Sequence, residues 1–316
     1  WKTAASFGDV NADGLLDFYI GAYVYDIEFI FDQNNVIIGF QHRCSPNYLF
    51  INNGDLTFTD ASLVYGVADT GCALATAFTD FDGDLDMDLM LGNDFGAWVV
   101  PSTLFQNQLP LEDLEDVGTQ TNMNFEIYGM GIAVGDIDKD ADLDYYQTNL
   151  GRNILSLNEG GVFTDITTEA DVESDSIGLQ LNTGWGCFFF DANNDSWPDL
   201  FVGNGEIAAA AIIDNADLDS NRLYLNNGDL TFTDITADAG LGSVLRARGA
   251  AYADFDKDGK LDFVVQNIHR YQDSTHFELY RNASSEVGNW IGFRLIGVQS
   301  NRDAFGAHVR LVQNGF

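Results

Sequence analysis

Positive charge is what this sequence has least of: 14 Lys and Arg stand against 49 Asp and Glu, a net charge of -35 over 316 residues. A polyphosphate would be repelled rather than drawn in, which excludes nucleic-acid binding through bulk charge. Proline is also scarce, at 4. With 46% hydrophobic and 13% aromatic residues, that scarcity argues for a folded acidic protein and against a disordered one. Three cysteines, Cys44, Cys72 and Cys187, are too few for a disulfide framework, and an odd number cannot all pair within one chain. A bridge between Cys44 and Cys72 is one option, and nothing in the spacing suggests a metal clip or a catalytic thiol. No run of about 18 apolar residues occurs, so no membrane-spanning helix is expected. The chain opens at Trp1 with neither Met nor a signal peptide, and reads as a mature or truncated piece of a longer polypeptide.

What the sequence does have is a repeat. One nine-residue pattern recurs five times: DVNADGLLD from Asp9, DFDGDLDMD from Asp80, DIDKDADLD from Asp136, DANNDSWPD from Asp191 and DFDKDGKLD from Asp254. The starts lie 55 to 71 residues apart, the size of one supersecondary unit. Five residues before each first Asp stands a small residue (Ala4, Ala75, Gly131, Gly186, Gly249), which lets strands crowd at an axis. Two before it stands a large apolar one (Phe7, Phe78, Val134, Phe189, Tyr252). After each last Asp comes a short aromatic and β-branched run ending at Gly or Asn, the signature of a buried strand and a turn. A further segment follows, NYLFINNG at Asn47 or NRLYLNNG at Asn221, in two cases running through Asn-Gly into TFTD (Thr57–Asp60, Thr231–Asp234). Asn-Gly supplies the positive φ of a tight hairpin. Each unit therefore reads as four short antiparallel strands, and the fold expected is all-β, a β-propeller.

The variable parts are expected between the second and third strands. Blade one carries YVYDIEFIFDQNNVIIGF, an extra hairpin turning at Asn34-Asn35; blade two carries the acidic stretch from Leu111 to Asn122; blade four carries GEIAAAAIIDNADLDS from Gly205, a candidate short helix. Such insertions on one face are where ligands often bind, and equally are tolerated surface loops.

Oxygens at alternate positions of a tight loop converge on one point, which suits a hard cation such as Ca²⁺. In the last loop Asp254, Asp256 and Asp258 would give side-chain oxygens, Lys260 its carbonyl, and Asp262 would close the shell. The same positions are Asp9, Asn11, Asp13, Leu15 and Asp17 in the first loop, and Asp80, Asp82, Asp84, Asp86 and Asp88 in the second. They are Asp136, Asp138, Asp140, Asp142 and Asp144 in the third, and Asp191, Asn193, Asp195, Trp197 and Asp199 in the fourth. The plain alternative is a set of solvated acidic turns. Against it, four or five carboxylates on nine residues repel one another unless a divalent ion neutralises them. About five Ca²⁺ ions, one per loop, are expected, bound more weakly by the first and fourth loops, which have Asn at position 3. Mg²⁺ fits less well, because it keeps more of its waters.

These loops, the FGD at Phe7–Asp9 and the segment from Asn221 to Asp234 resemble the FG-GAP or VCBS repeats of integrin α-like β-propellers. The end of the chain, NWIGFRLIGVQSNRDAFGAHVRL from Asn289, resembles the start of the ASPIC/UnbV module of the cartilage acidic protein family. The resemblance implies residues 1–282 as a propeller and 283–316 as the start of that module. It also implies an extracellular or cell-surface location and an ion in the hairpin between the first two strands of each blade. Such propellers commonly have seven blades; with five loops visible, further blades lie upstream or lack the loop.

The function expected is a non-catalytic binding or adhesion module for a protein or glycan. One alternative is a structural subunit of an extracellular fibre, sheath or surface layer, built from copies of the chain through edge strands. A second is a propeller hydrolase or lyase, but His42, His269, His276 and His308 show no ligand or acid/base spacing. Trp185 and Trp290 read as core aromatics and Trp98 as the better candidate for ligand contact. Asn282-Ala283-Ser284 is a glycosylation sequon; Asn194-Asp195-Ser196 is another, inside a loop. Arg246 and Arg248 are expected to offset nearby loop acids.

Overall fold

A computed structural model describes residues 1–173, 176–177, 180–207, 219–268, 275–285, 288–298, 301–302, 304–307, 309 and 311. Blade one comprises β1 (Lys2–Gly8), β2 (Asp17–Ala22), β5 (Tyr48–Asn52) and β6 (Phe58–Asp60), with β3 (Val24–Phe31) and β4 (Ile37–Cys44) forming a separate hairpin. Blade two comprises β7 (Ala73–Thr79), β8 (Asp88–Asn93), β9 (Thr103–Asn107) and β10 (Leu114–Asp116), followed by a single helical turn, α1 (Gly118–Thr121). Blade three holds β11 (Gly131–Gly135), β12 (Asp144–Thr148), β13 (Ile154–Asn158) and β14 (Phe163–Asp165). A two-residue pair, β15 (Ser176–Ile177) and β16 (Gln180–Leu181), leads to blade four: β17 (Gly184–Phe190), β18 (Asp199–Asn204), β19 (Arg222–Asn226) and β20 (Phe232–Asp234). Blade five has three strands among the described residues, β21 (Arg246–Ala253), β22 (Asp262–Ile268) and β23 (Thr275–Tyr280). All pairings within the blades are antiparallel and follow chain order from the inside outward. The all-β propeller of antiparallel blades expected from the repeat is the fold observed.

The period-two alternation of each second strand assigns its side chains to two neighbours. Leu89 and Leu91 pack with Tyr19 between blades one and two, whereas Met90 between them packs with Tyr145 of blade three. Leu200 and Val202 join Tyr146 between blades three and four, and Phe201 joins Phe263 and Val265 of blade five. Strands buried on both faces read as largely apolar runs, as the sequence directly after each loop does. The first strands pack side by side in the order β1, β7, β11, β17, β21, and among the described residues no comparable packing returns β21 to β1. Small residues permit this crowding: a Cβ on Gly186 would lie 2.9 Å from the backbone nitrogen of Ala250.

Several expectations change. The acidic stretch Leu111–Asn122 lies after the third strand of blade two and contains its fourth, β10; the segment between β8 and β9 is Asp94–Ser102. In β10, Leu114-Glu115-Asp116 takes the register that Phe-Thr-Asp takes elsewhere, so Leu114 is buried while Glu115 and Asp116 face water. The blade-one hairpin forms, turning at Asn35 with φ of 63°. The candidate helix of blade four falls mostly on residues 208–218, outside the described residues, as do His269 and His308. Trp290 is 60% exposed rather than core: it covers Gly259, where the last loop leaves a flat surface without a Cβ. Trp185 is half-buried and donates its indole N–H to the Gly205 carbonyl.

Candidate metal centres

Each Asp loop connects the first and second strands of a blade, and its carboxylates first of all tie the loop to itself. The position 1 carboxylate accepts the N–H groups of positions 5 and 6, as Asp136 does from Asp140 and Ala141 and Asp254 from Asp258 and Gly259. The position 5 carboxylate accepts the N–H of position 7 in all five loops. Positions 4 and 6 both have positive φ throughout; position 6 is Gly14, Leu85, Ala141, Ser196 and Gly259, with φ of 74 to 88°. Every loop thus holds a non-glycine residue in the left-handed region, at position 4, position 6 or both, a strain that the converging hydrogen bonds must offset.

Position 9 is a buried carboxylate with two fixed partners. Asp17, Asp88, Asp144, Asp199 and Asp262 each accept the N–H of loop position 2 on one oxygen. On the other they accept the N–H of an Asn at the end of the third strand, namely Asn52, Asn107, Asn158, Asn226 and Asn282. That Asn carries a second role. The side-chain amide of Asn107 donates to the Val10 carbonyl of the preceding blade's loop, Asn158 to Phe81, Asn226 to Ile137 and Asn282 to Ala192. The sequon nitrogen of Asn282 is therefore engaged in a link between blades. Sequence reasoning missed this recurring Asn, although its place after each third strand was visible.

Positions 1, 3 and 9 bring carboxylate oxygens within 4.8 Å of one another in three loops: Asp80, Asp82 and Asp88; Asp136, Asp138 and Asp144; Asp254, Asp256 and Asp262. Position 5 carboxylates (Asp84, Asp140, Asp258) stand outside these sets. In the first and fourth loops position 3 is Asn11 or Asn193, whose side-chain oxygen accepts the N–H of Asp13 or Asp195. Burial, with smaller contributions from neighbouring carboxylates, pushes Asp88 up to about 8, Asp144 and Asp199 to about 7 and Asp17 to about 6. Asp86 is pushed to about 7 by burial and then by Asp84.

The fifth loop differs because protein cations meet its acids. Arg281 contacts Asp256 at 2.6 Å and Asp258 at 3.3 Å, and Lys260 contacts Asp258 at 3.3 Å. The hydrogen bond from Arg281 holds Asp256 below the usual carboxylate range. Arg246 and Arg248 do not serve the loops: they lie at the other end of β21. Arg246 pairs with the buried Glu206, and Arg248 stacks on Trp185 and donates to the Gly205 and Glu206 carbonyls.

At the ends of the second strands opposite the loops, the blade-one hairpin is tied to blade two by a Cys44–Cys72 disulfide. Tyr23 there donates to Asp94 at 2.5 Å, Phe95 packs on His42, and Trp98, 70% exposed, packs on Tyr128. His276 is exposed on β23.

Fold and loops together define a β-propeller of repeated Asp-loop blades, and the comparisons agree. Residues 203–265, running from the second strand of blade four to that of blade five, match the family model for the FG-GAP-like repeat. The chain is similar to cartilage acidic protein 1: it is 25% identical to the Mus musculus protein over 295 residues, covering 89% of this chain and 41% of the relative. The Homo sapiens protein is also 25% identical, with 89% and 40% covered, and the Xenopus tropicalis protein 26% identical over 275 residues, with 82% and 38% covered. The chain thus spans about two-fifths of the length of these relatives. A solved structure of Bacillus licheniformis rhamnogalacturonan lyase PL11 covers 95% of this chain and 51% of its own, at 14% identity and a TM-score of 0.41, a likeness too slight to carry an argument.

Proposed function

We propose that the chain is an extracellular, calcium-stabilised propeller that binds a protein or glycan partner and catalyses nothing. The observation that carries the calcium assignment is the second loop. Asp80, Asp82 and Asp88 converge there, and Asp82 Oδ1 and Asp86 Oδ1 are buried oxygens without a hydrogen-bond partner. An all-oxygen set with orphaned buried lone pairs suits a hard cation and no softer metal. In this reading Asp80, Asp82 and Asp88 hold the ion in the second loop, Asp136, Asp138 and Asp144 in the third, and Asp254, Asp256 and Asp262 in the fifth. The loops from Asp9 and Asp191 bind more weakly. The ion's part is to cancel repulsion, so that the position 9 carboxylates stay ionised while they hold the third strand.

The Cys44–Cys72 disulfide and the name of the relatives support an extracellular setting. Trp98 with Tyr128 and Phe95 is the surface assigned to ligand contact, since an exposed tryptophan beside other rings offers both stacking area and an N–H donor. Residues 1–282 form the propeller in this reading, and 283–316 begin a second module.

Thermal melting in EGTA, and again after adding Ca²⁺ or Mg²⁺, tests the assignment, because ions that bind only the folded state must raise the midpoint. Free Ca²⁺ at 100 times its dissociation constant adds about 2.7 kcal/mol per site. A rise specific to Ca²⁺ is expected; identical curves would remove calcium from the loops.

A further inference from the structure

Among the described residues no strand covers the outer edge of β23 in blade five, and the sister blades show what fits there. Blades one, three and four close with Phe58-Thr59-Asp60, Phe163-Thr164-Asp165 and Phe232-Thr233-Asp234 as fourth strand. In blade four, Phe232 lies opposite Asn226 and is buried among Ile137, Leu157, Ala170 and Val172, with Ile166 against them. One blade further on, the equivalents of those five residues are Ala192, Leu225, Ala239, Leu241 and Ile235. All five line a cavity of about 400 Å³, beside Tyr280 and Asn282. The cavity therefore matches the slot that Phe232 fills in blade four.

The backbone agrees with the side chains. In blade four the Leu223 N–H donates to Thr236 Oγ1 and the Leu223 carbonyl accepts the Ile235 N–H; in blade three Leu155 is held the same way by Thr167 and Ile166. Leu49 of blade one is held by Ser62 and Ala61. The residue in that register on blade five is Leu279, which pairs with Val264 as Leu223 pairs with Phe201. Leu279 is 66% exposed, and among the described residues no strand pairs with β23 on that side.

We infer that blade five binds, by strand addition, an extended segment of a partner polypeptide with the sequence aromatic-Thr-Asp-X-Ser/Thr. The aromatic ring fills the 400 Å³ cavity opposite Asn282. The Ser or Thr hydroxyl accepts the Leu279 N–H, and the N–H of residue X donates to the Leu279 carbonyl. Main-chain pairing supplies the affinity of such a mode and the pocket its selectivity. The cavity borders the fourth and fifth Asp loops through Ala192, Asn193 and Leu261, but the inference does not rest on their holding calcium.

The probe is a fluorescein-labelled peptide copied from Asn226–Ala237 of this chain, NNGDLTFTDITA, titrated with the full 316-residue protein and read by anisotropy. Saturable binding is expected. The peptide carrying Ala for Phe should bind at least about 100-fold more weakly, as losing a fully buried ring implies. Because that change sits in the peptide, it cannot be confused with misfolding. Ala239→Trp, at an exposed alanine lining the cavity, should abolish binding while leaving the melting curve unchanged. No binding to a folded chain, or equal binding of the two peptides, overturns the inference. So does a dimer in light scattering whose β23 amides exchange slowly, since a second copy would then hold the edge.

Discussion

The third and fifth loops share a backbone and differ in what answers their charge. Asp136, Asp138 and Asp144 superpose in role on Asp254, Asp256 and Asp262, with the same turn bonds and the same grip on the third strand. Yet position 7 is Asp142 in one and Lys260 in the other, and only the fifth loop has an arginine across it, Arg281. Lys139, within the third loop, lies over the Trp197 ring of the next loop instead. The scaffold of an Asp loop is thus separable from its counter-charge, which an external ion or the protein's own side chains can supply.

The largest expected effect ignores the difference. Asp144→Ala and Asp262→Ala each leave two backbone N–H groups without an acceptor, and should each cost about 2 to 5 kcal/mol in chemical denaturation with Ca²⁺ present. A much smaller loss at either would break the claim of a shared scaffold. Position 3 should separate the loops. Asp138→Asn is expected to lower the third loop's Ca²⁺ affinity by at least about ten-fold in titration calorimetry, since affinity follows ligand charge. Asp256→Asn should cost the fifth loop less, because Arg281 already offsets that carboxylate.

Proton and calcium should compete at the third loop. Asp144, whose folded value is about 7 against an ordinary 3.8, holds its proton more tightly in the fold than in the unfolded chain. Between those values the native state binds more protons, so in EGTA its contribution to stability falls as pH rises from 4 to 7. Asp88, Asp199 and Asp17 act in the same direction. Melting in EGTA should therefore move to lower temperature between pH 5 and 8, and the gain on adding Ca²⁺ should grow over the same range. A Ca²⁺ gain that is flat with pH would contradict ionised position 9 carboxylates at the ion. The smallest effect belongs to Arg281→Gln. Its pair is largely exposed, so stability in EGTA should barely change, while Ca²⁺ affinity of the fifth loop rises a few-fold.

Much of the fold was legible because its punctuation is chemical. Only Asp or Asn can make the turn bonds at positions 1, 3, 5 and 9, so the loops repeat in plain sight and the strands follow by offset. The fourth strand of blade two escaped because one solvent-facing Thr became Glu and the buried Phe became Leu, both allowed by its register. At the candidate site, Ca²⁺-type spacing was visible, but a spacing rule cannot tell a ligand from a staple. Position 9 had been read only as closing the ion's shell, whereas in the structure it also holds the third strand from 35 residues away in blade one. Arg281 was invisible for a similar reason: it reaches the fifth loop through pairing of β22 and β23 and not through sequence proximity.

In blades two to five the amide of the third-strand Asn reaches back to the loop of the blade before it. Order therefore propagates with a direction. A loop's geometry depends on the blade that follows it, and a blade that frays releases its predecessor's loop before its successor's. In such a nearest-neighbour array an ion bound in one loop would report on the integrity of the next blade. Pulled from its C-terminal end, the protein would surrender its loops one at a time, each loosened as its downstream neighbour leaves.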